Sequence, residues 1–265
     1  MTDRAESALL AAVERSPEAA AAHDRAGWVG LFTVDGRIED PVGSRPHTGH
    51  AEIGRFYDTF IGPRDIAFHR DLDVVHGSAV VRDLDLGVVM GSAVTMTIPA
   101  FLRYDLREVN GEWKIATLRA YWELPSMMLQ FLRNGPSAMP ATIQLAQGLI
   151  RNQRLRGTAG FAAGFRRVGS RRKQLVDSFV NAVGSGDRLA AQRALSSNAT
   201  MTSGDDDVAD IADLVALCPG ARAPKLIAAG STVAASIAST QGPGVMFADV
   251  ARRRNEIRRI RYFPG

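Results

Sequence analysis

The sequence predicts an α+β protein in which one plan, helices first and an antiparallel sheet after them, is laid down twice. Three observations predict it. Residues 4–35 are dominated by Ala, Leu and Glu, the composition of helices. Four later segments, near 66–75, 79–90, 94–107 and 112–123, alternate apolar and polar residues and are rich in Val, Ile, Leu and aromatics. From Arg171 the same order of elements returns. Helices followed by a meander give helices packed on one face of a curved sheet.

Within 4–35, Ser16-Pro17-Glu18 has the form of a fresh helix start, with Ser as cap and Pro in the first turn. A second helical piece is expected to carry Trp28, Leu31 and Phe32 on one face, and His23-Asp24 to cap or hydrogen-bond near a helix end. Residues 51–61 space Ile53, Phe56, Tyr57 and Phe60 as a short amphipathic helix. The strands break at His76-Gly77-Ser78, Gly91-Ser92 and Asn110-Gly111, and Asn-Gly is the strongest of these hairpin signals.

The second half begins with an amphipathic helix over Lys173–Val183, a turn at Gly184-Ser185-Gly186-Asp187 and a helix over Arg188–Leu195. An extended segment starts at Asn198–Thr202, a short helix covers Val208–Leu217, and strands follow near 225–238, 244–251 and 256–263. The Asp205-Asp206-Asp207 run lacks the rest of a calcium loop and is expected at a solvated helix start.

Composition narrows the function classes. Of 265 residues, 46% are hydrophobic and 23% charged, enough apolar material for a sizeable core. A single cysteine, Cys218, excludes an internal disulfide and a cysteine metal cage, and fits a reducing, cytoplasmic setting. Nothing in the sequence reads as a secretory leader or a membrane span. The net charge of +4 is unevenly spread: residues 124–176 hold nine Lys or Arg and no acid, leaving the remainder net acidic. That stretch, punctuated by Gly135-Pro136 and Pro140, is expected to be a basic helical linker over 126–170. It has a solvated reading and a peripheral one, contact with an anionic membrane or an acidic partner. No nucleic-acid motif accompanies the charge, so no specific nucleic-acid binding is expected.

The chemistry concentrates at Ile38-Glu39-Asp40-Pro41-Val42-Gly43-Ser44. A residue before proline is driven into extended geometry, where alternate side chains share a face. Ile38 and Asp40 therefore face one way and Glu39 the other. With Ile38 toward a core, Asp40 becomes an inward carboxylate and a candidate general base; the competing reading is an ordinary Asp-Pro turn. His47 and His50 lie in a Pro-Gly loop without convergent carboxylates, which makes them surface residues rather than metal ligands.

Asp40-Pro41-Val42-Gly43-Ser44, the Pro46/Gly49 pair, Phe56-Tyr57 and Leu118-Arg119-Ala120, in this order, give residues 1–125 a sequence that resembles the bacterial ketosteroid isomerases. These belong to the nuclear-transport-factor-2-like (NTF2-like, cystatin-like α+β) proteins, which include the SnoaL-type cyclases. The resemblance implies two tandem NTF2-like cones, 1–125 and a degenerate 171–265, each a curved antiparallel sheet wrapped by N-terminal helices. It implies pairing of cones, as an internal pseudo-dimer or a homodimer.

The resemblance further implies that Asp40 is the base that moves a proton alpha to a carbonyl of a steroid or polycyclic ketone, with no cofactor and no metal. This family is a worked case of pKa tuning, an aspartate base beside an oxyanion hole of a tyrosine and a protonated aspartic acid. Those two partners do not carry over: Ala100 stands at the position of the acid and Ser16 at that of the tyrosine. Tyr57 matches the family's second tyrosine and is the substitute donor. Trp122, Ala100, Phe56 and Phe101 are the expected substrate-binding residues, Trp122 as an apolar wall beside the base. In the second half Ser203 matches Asp40, so that cone is expected to be structural. Two rivals remain beside an isomerase: a module that holds a small, steroid-like apolar ligand without turning it over, and a SnoaL-type cyclase or hydrolase.

Overall fold

The computed structural model describes residues 2–90, 94–123, 169–251 and 254–265. The basic linker expected at 126–170 lies outside the described residues. The described chain forms two compact units, each with its own six-stranded sheet.

In the first unit, α1 (Thr2–Ala21) and α2 (Arg25–Gly30) precede β1 (Phe32–Glu39), β2 (His47–Thr48) and α3 (Gly49–Phe56), which runs into a π turn over Tyr57–Ile61. Four long strands follow: β3 (Asp65–His76), β4 (Ala79–Met90), β5 (Val94–Val109) and β6 (Glu112–Tyr121). The sheet order is β2-β1-β6-β5-β4-β3.

Two local expectations fail here. Ser16-Pro17 does not start a helix, because α1 passes through Pro17. An interior proline costs roughly 3 kcal/mol. Leu9, Ala12, Val13, Ser16 and Ala20 form one buried stripe at helical spacing, and packing along it holds the helix together. Phe32 is not helical either; it opens β1 opposite Ile115. Asp24 does cap α2, accepting from the Gly27 amide at 2.8 Å.

The second unit repeats the plan. Its elements are α4 (Ser170–Ser185), α5 (Arg188–Ala194), β7 (Leu195–Ser203), β8 (Asp207–Ala209), α6 (Ile211–Leu217), β9 (Arg222–Ala229), β10 (Thr232–Ser239), β11 (Gly242–Val250) and β12 (Ile257–Pro264). The sheet order, β8-β7-β12-β11-β10-β9, is that of the first unit strand for strand. The stretch 225–238 is two strands, divided at Gly230, which has a positive φ of 58°. Val208 lies in β8 rather than a helix, as does Asp207, because α6 is capped later, by Asp210 in a capping box with Asp213.

Neither sheet is wholly antiparallel. β1 pairs with β6 in parallel, Ile38 opposite Leu118 and Glu39 opposite Arg119. β7 pairs with β12 in parallel, Met201 opposite Ile260 and Thr202 opposite Arg261. This equivalence extends to an ion pair: Arg119 with Asp105 in the first sheet, Arg261 with Asp249 in the second.

Candidate active site

Pairing with β6 fixes where Asp40 stands. Below it, Ile38 and Glu39 pair with Leu118 and Arg119; above it, the Val42 amide donates to the Ala120 carbonyl at 2.8 Å. The Asp40-Pro41 bond is cis. Gly43, at φ 95°, turns the chain away in a conformation that favours glycine, and its amide donates to the Glu39 carboxylate at 2.9 Å. Glu39 is thus engaged on the other side of the strand, as alternation requires.

Cross-strand partners share a face, so the Asp40 face can be followed across the sheet. Ile38 neighbours Leu118, Leu118 neighbours Tyr104, and Ala120 neighbours Leu102. Ala100, two residues before Leu102, belongs to the same face, and β4 continues it with Arg82 and Leu84. Helices cover this side, with Arg82 reaching Glu14 of α1 at 2.8 Å. Ala100 is fully buried here and offers only a methyl group. Phe101 is corrected by the same rule. Adjacent to Ala100 in an extended strand and opposite Tyr121, it points to the other face and cannot join Ala100 in one wall.

Trp122 is more than an apolar wall. Its Nε1–H donates to Asp40 Oδ1 at 2.5 Å. Part of Asp40 still reaches solvent, yet burial of its carboxyl dominates and raises the pKa to about 6, against the lowering effect of the indole N–H. A carboxylate tuned this way is ionised at neutral pH and still basic enough to accept a proton from carbon.

The same unit also holds an aromatic cluster on α2, α3 and the π turn. Trp28 stacks on Phe56 at 6.2 Å and meets Tyr57 at 5.4 Å. Arg25 clamps Asp58 of the π turn at 2.6 and 3.0 Å, tying α2 to that turn. The Tyr57 hydroxyl is buried without a hydrogen-bond partner among the described residues. Burial first, then the nearby Asp24 and Asp58 carboxylates, raises its pKa, so it stays a neutral donor. Ser44, in the same motif as Asp40, also carries a buried hydroxyl with no partner among the described residues. Ser16 is buried on α1. Among the described residues, no three His, Cys, Asp or Glu side chains gather as a metal site, and no helix is long and apolar enough to cross a membrane.

The equivalent positions of the second unit are filled differently. By register, Met201, Ser203, Gly244 and Tyr262 take the places of Ile38, Asp40, Ala100 and Ala120. Tyr262 is buried and packs so close that a side chain at Gly244 would meet its hydroxyl at 2.7 Å. That hydroxyl is hydrogen-bonded with Cys218, and burial raises the pKa of both groups. Where the first unit has two alanines and a carboxylate, the second has a tyrosine and a hydroxyl.

Residues 8–130 match the family model of the nuclear transport factor 2 (NTF2) domain. Among solved structures, the chain is similar to RV0760c from Mycobacterium tuberculosis, with 26% identity, 45% of this chain and 94% of that chain covered and a TM-score of 0.41. It is similar to the Delta 5-3-ketosteroid isomerase from Mycobacterium sp. (25%, 44% and 94%, TM-score 0.40). An M. tuberculosis LEH-like epoxide hydrolase is also similar (17%, 52% and 96%, TM-score 0.42).

Proposed function

We propose that the first unit, an NTF2-type domain, is a proton-transfer enzyme of the ketosteroid isomerase kind, with Asp40 as its base. One observation carries this: a carboxyl on the helix-covered face of the sheet, pKa about 6, held by the Trp122 N–H. In the reaction Asp40 takes a proton from the carbon alpha to a ketone. The C–H electron pair moves into the carbon framework and charge develops on the carbonyl oxygen as an enolate. Asp40 then returns the proton at the far end of the conjugated system, and no atoms are gained or lost.

Tyr57 is the donor we assign to the enolate oxygen, since its buried hydroxyl has no other partner among the described residues. Preorganised donors of this kind supply much of the rate, and losing one typically costs about 10²–10³-fold. Ala100 contributes no second donor, which favours a slower enzyme, or a binding module for an apolar ligand. Phe56 and Trp28 contribute apolar surface to such a ligand.

A β,γ-unsaturated 3-ketosteroid separates these outcomes. Formation of the conjugated enone, followed by absorbance and abolished in Asp40→Asn, is the expected result. Measurable steroid binding with no rate above background would leave the binding module and reject the isomerase. A rate that survives Asp40→Asn would reject only the assignment of the base.

A further inference from the structure

His47 and His50, expected together at the surface, are placed differently by the fold. His50 lies on α3, and its Nε2–H donates to the Phe32 carbonyl at 3.0 Å. His47 opens β2, which pairs antiparallel with β1 and sets it directly opposite Ile38. Directly opposed side chains share a face, so His47 joins Ile38 on the helix-covered side. Thr48, opposite Arg37, takes the other. The imidazole packs on the Phe56 ring at 5.2 Å, and Phe56 leads on to Trp28 and Tyr57.

Asp40 stands two residues beyond Ile38 on the same face, held there by Trp122. His47 and Asp40 are thus diagonal neighbours across adjacent strands, a relation that separates Cβ atoms by about 7–8 Å in an extended ladder. Ile38, Phe56, Leu118 and Ala120 are buried on this face. Asp40, Trp122 and His47 each keep partial contact with solvent. A molecule arriving from solvent therefore meets the face at these three residues.

The charged groups around His47 are engaged with one another. Glu52 accepts from the Thr48 amide at 2.9 Å and pairs with Arg45 and Arg55 at 3.7 and 3.8 Å. No described residue hydrogen-bonds to the His47 ring. Burial is the main influence on its pKa and lowers it; Glu52 opposes this and the two arginines reinforce it. The imidazole is therefore neutral at neutral pH, with one N–H to donate and one bare nitrogen to accept.

We propose that His47 determines specificity at the Asp40 site by hydrogen-bonding a second oxygen of the ligand, a hydroxyl on the ring farthest from the reacting ketone. The proposal rests on the reading of Asp40 as the group that faces that ketone. Asp40 fixes the position of the alpha carbon, and a rigid fused-ring skeleton spans the gap to His47 only from a distant ring. A site arranged to bond a hydroxyl discriminates against the analogue that lacks it, because its own polar group is then left unpaired. A His47 that serves only to pack on Phe56 predicts no such preference.

The test compares two conjugated 3-ketosteroids, one with a hydroxyl on the five-membered ring and its deoxy analogue. Both are already conjugated and bind without net turnover. Affinities are read from tryptophan fluorescence of the full chain at pH 8, where the imidazole is neutral. The hydroxylated steroid is expected to bind about fivefold more tightly, the size of one neutral hydrogen bond. In His47→Phe, which keeps a ring against Phe56, the ratio falls to about one. His47→Gln retains a donor and an acceptor and keeps part of it. Equal affinities in the unaltered protein would overturn the proposal without any variant. So would a ratio that survives His47→Phe, or failure of both steroids to bind. Absence of turnover with the ratio intact would instead reject Asp40 as base and leave the His47 contact standing.

Discussion

Trp122 donates its indole N–H to the Asp40 carboxyl at 2.5 Å, joining residues 82 positions apart in sequence. The bond favours the ionised carboxylate while burial favours the neutral acid, and burial prevails. Turnover by Asp40 should therefore rise with pH through about 6 and level off above it. Trp122→Phe removes the donor and keeps an apolar ring, so the profile should move to higher pH. A kcat/KM profile of both proteins against a ketosteroid checks the direction; a shift to lower pH would contradict it.

Asp40 also makes stability depend on pH. Its folded pKa lies above the unfolded value of 3.8, so the folded state binds its proton more tightly. The resulting contribution is fully present below pH 3.8 and is lost as pH rises through about 6. Asp40→Asn should then match the unaltered protein at low pH and exceed it at pH 8, by up to about 3 kcal/mol. Urea unfolding at the two pH values measures the difference.

Tyr57→Phe deletes a buried hydroxyl that has no hydrogen-bond partner among the described residues. Stability should hold or rise by about 1 kcal/mol, since an unsatisfied buried group is removed. Turnover should fall by about 10²-fold if the hydroxyl meets the enolate. Loss of stability with unchanged kcat would assign Tyr57 to the core.

Tyr262→Ala tests the second unit. Removing a buried aromatic ring should cost about 3–5 kcal/mol. Thermal unfolding of the full chain reports it. A loss below about 1 kcal/mol would mean that the ring occupies space the second unit does not need filled.

Much of this was legible in the residues. Alternation marked β4, β5 and β6 within a few positions, and Asn110-Gly111 fixed their hairpin, because both signals are local. Asp40 was found through its proline and its neighbour Ile38. What was misjudged depended on partners distant in sequence. Pro17 reads as a helix start until the buried stripe of α1 is seen to run through it. Phe101 looked like pocket wall because alternation was not carried through from Ala100. Trp122 was expected as bulk, and its N–H found a role only because β6 delivers it beside Asp40. His47 stands between Pro46 and Gly49 and resembles a loop residue; its face is set only by the pairing of β2 with β1.

Each unit closes by placing its first strand beside its last, Ile38 against Leu118 and Met201 against Ile260. These contacts span about 80 and about 60 residues, separations that slow folding because the loop must close before they form. During synthesis β1 emerges early and must wait, with its apolar face uncovered, until β6 leaves the ribosome. Asp40 acquires its raised pKa only at that moment, so the carboxyl proposed as the base is among the last parts of the first unit to be made. A translational pause late enough for Trp122 to have left the ribosome would give that unit time to close before the second is complete.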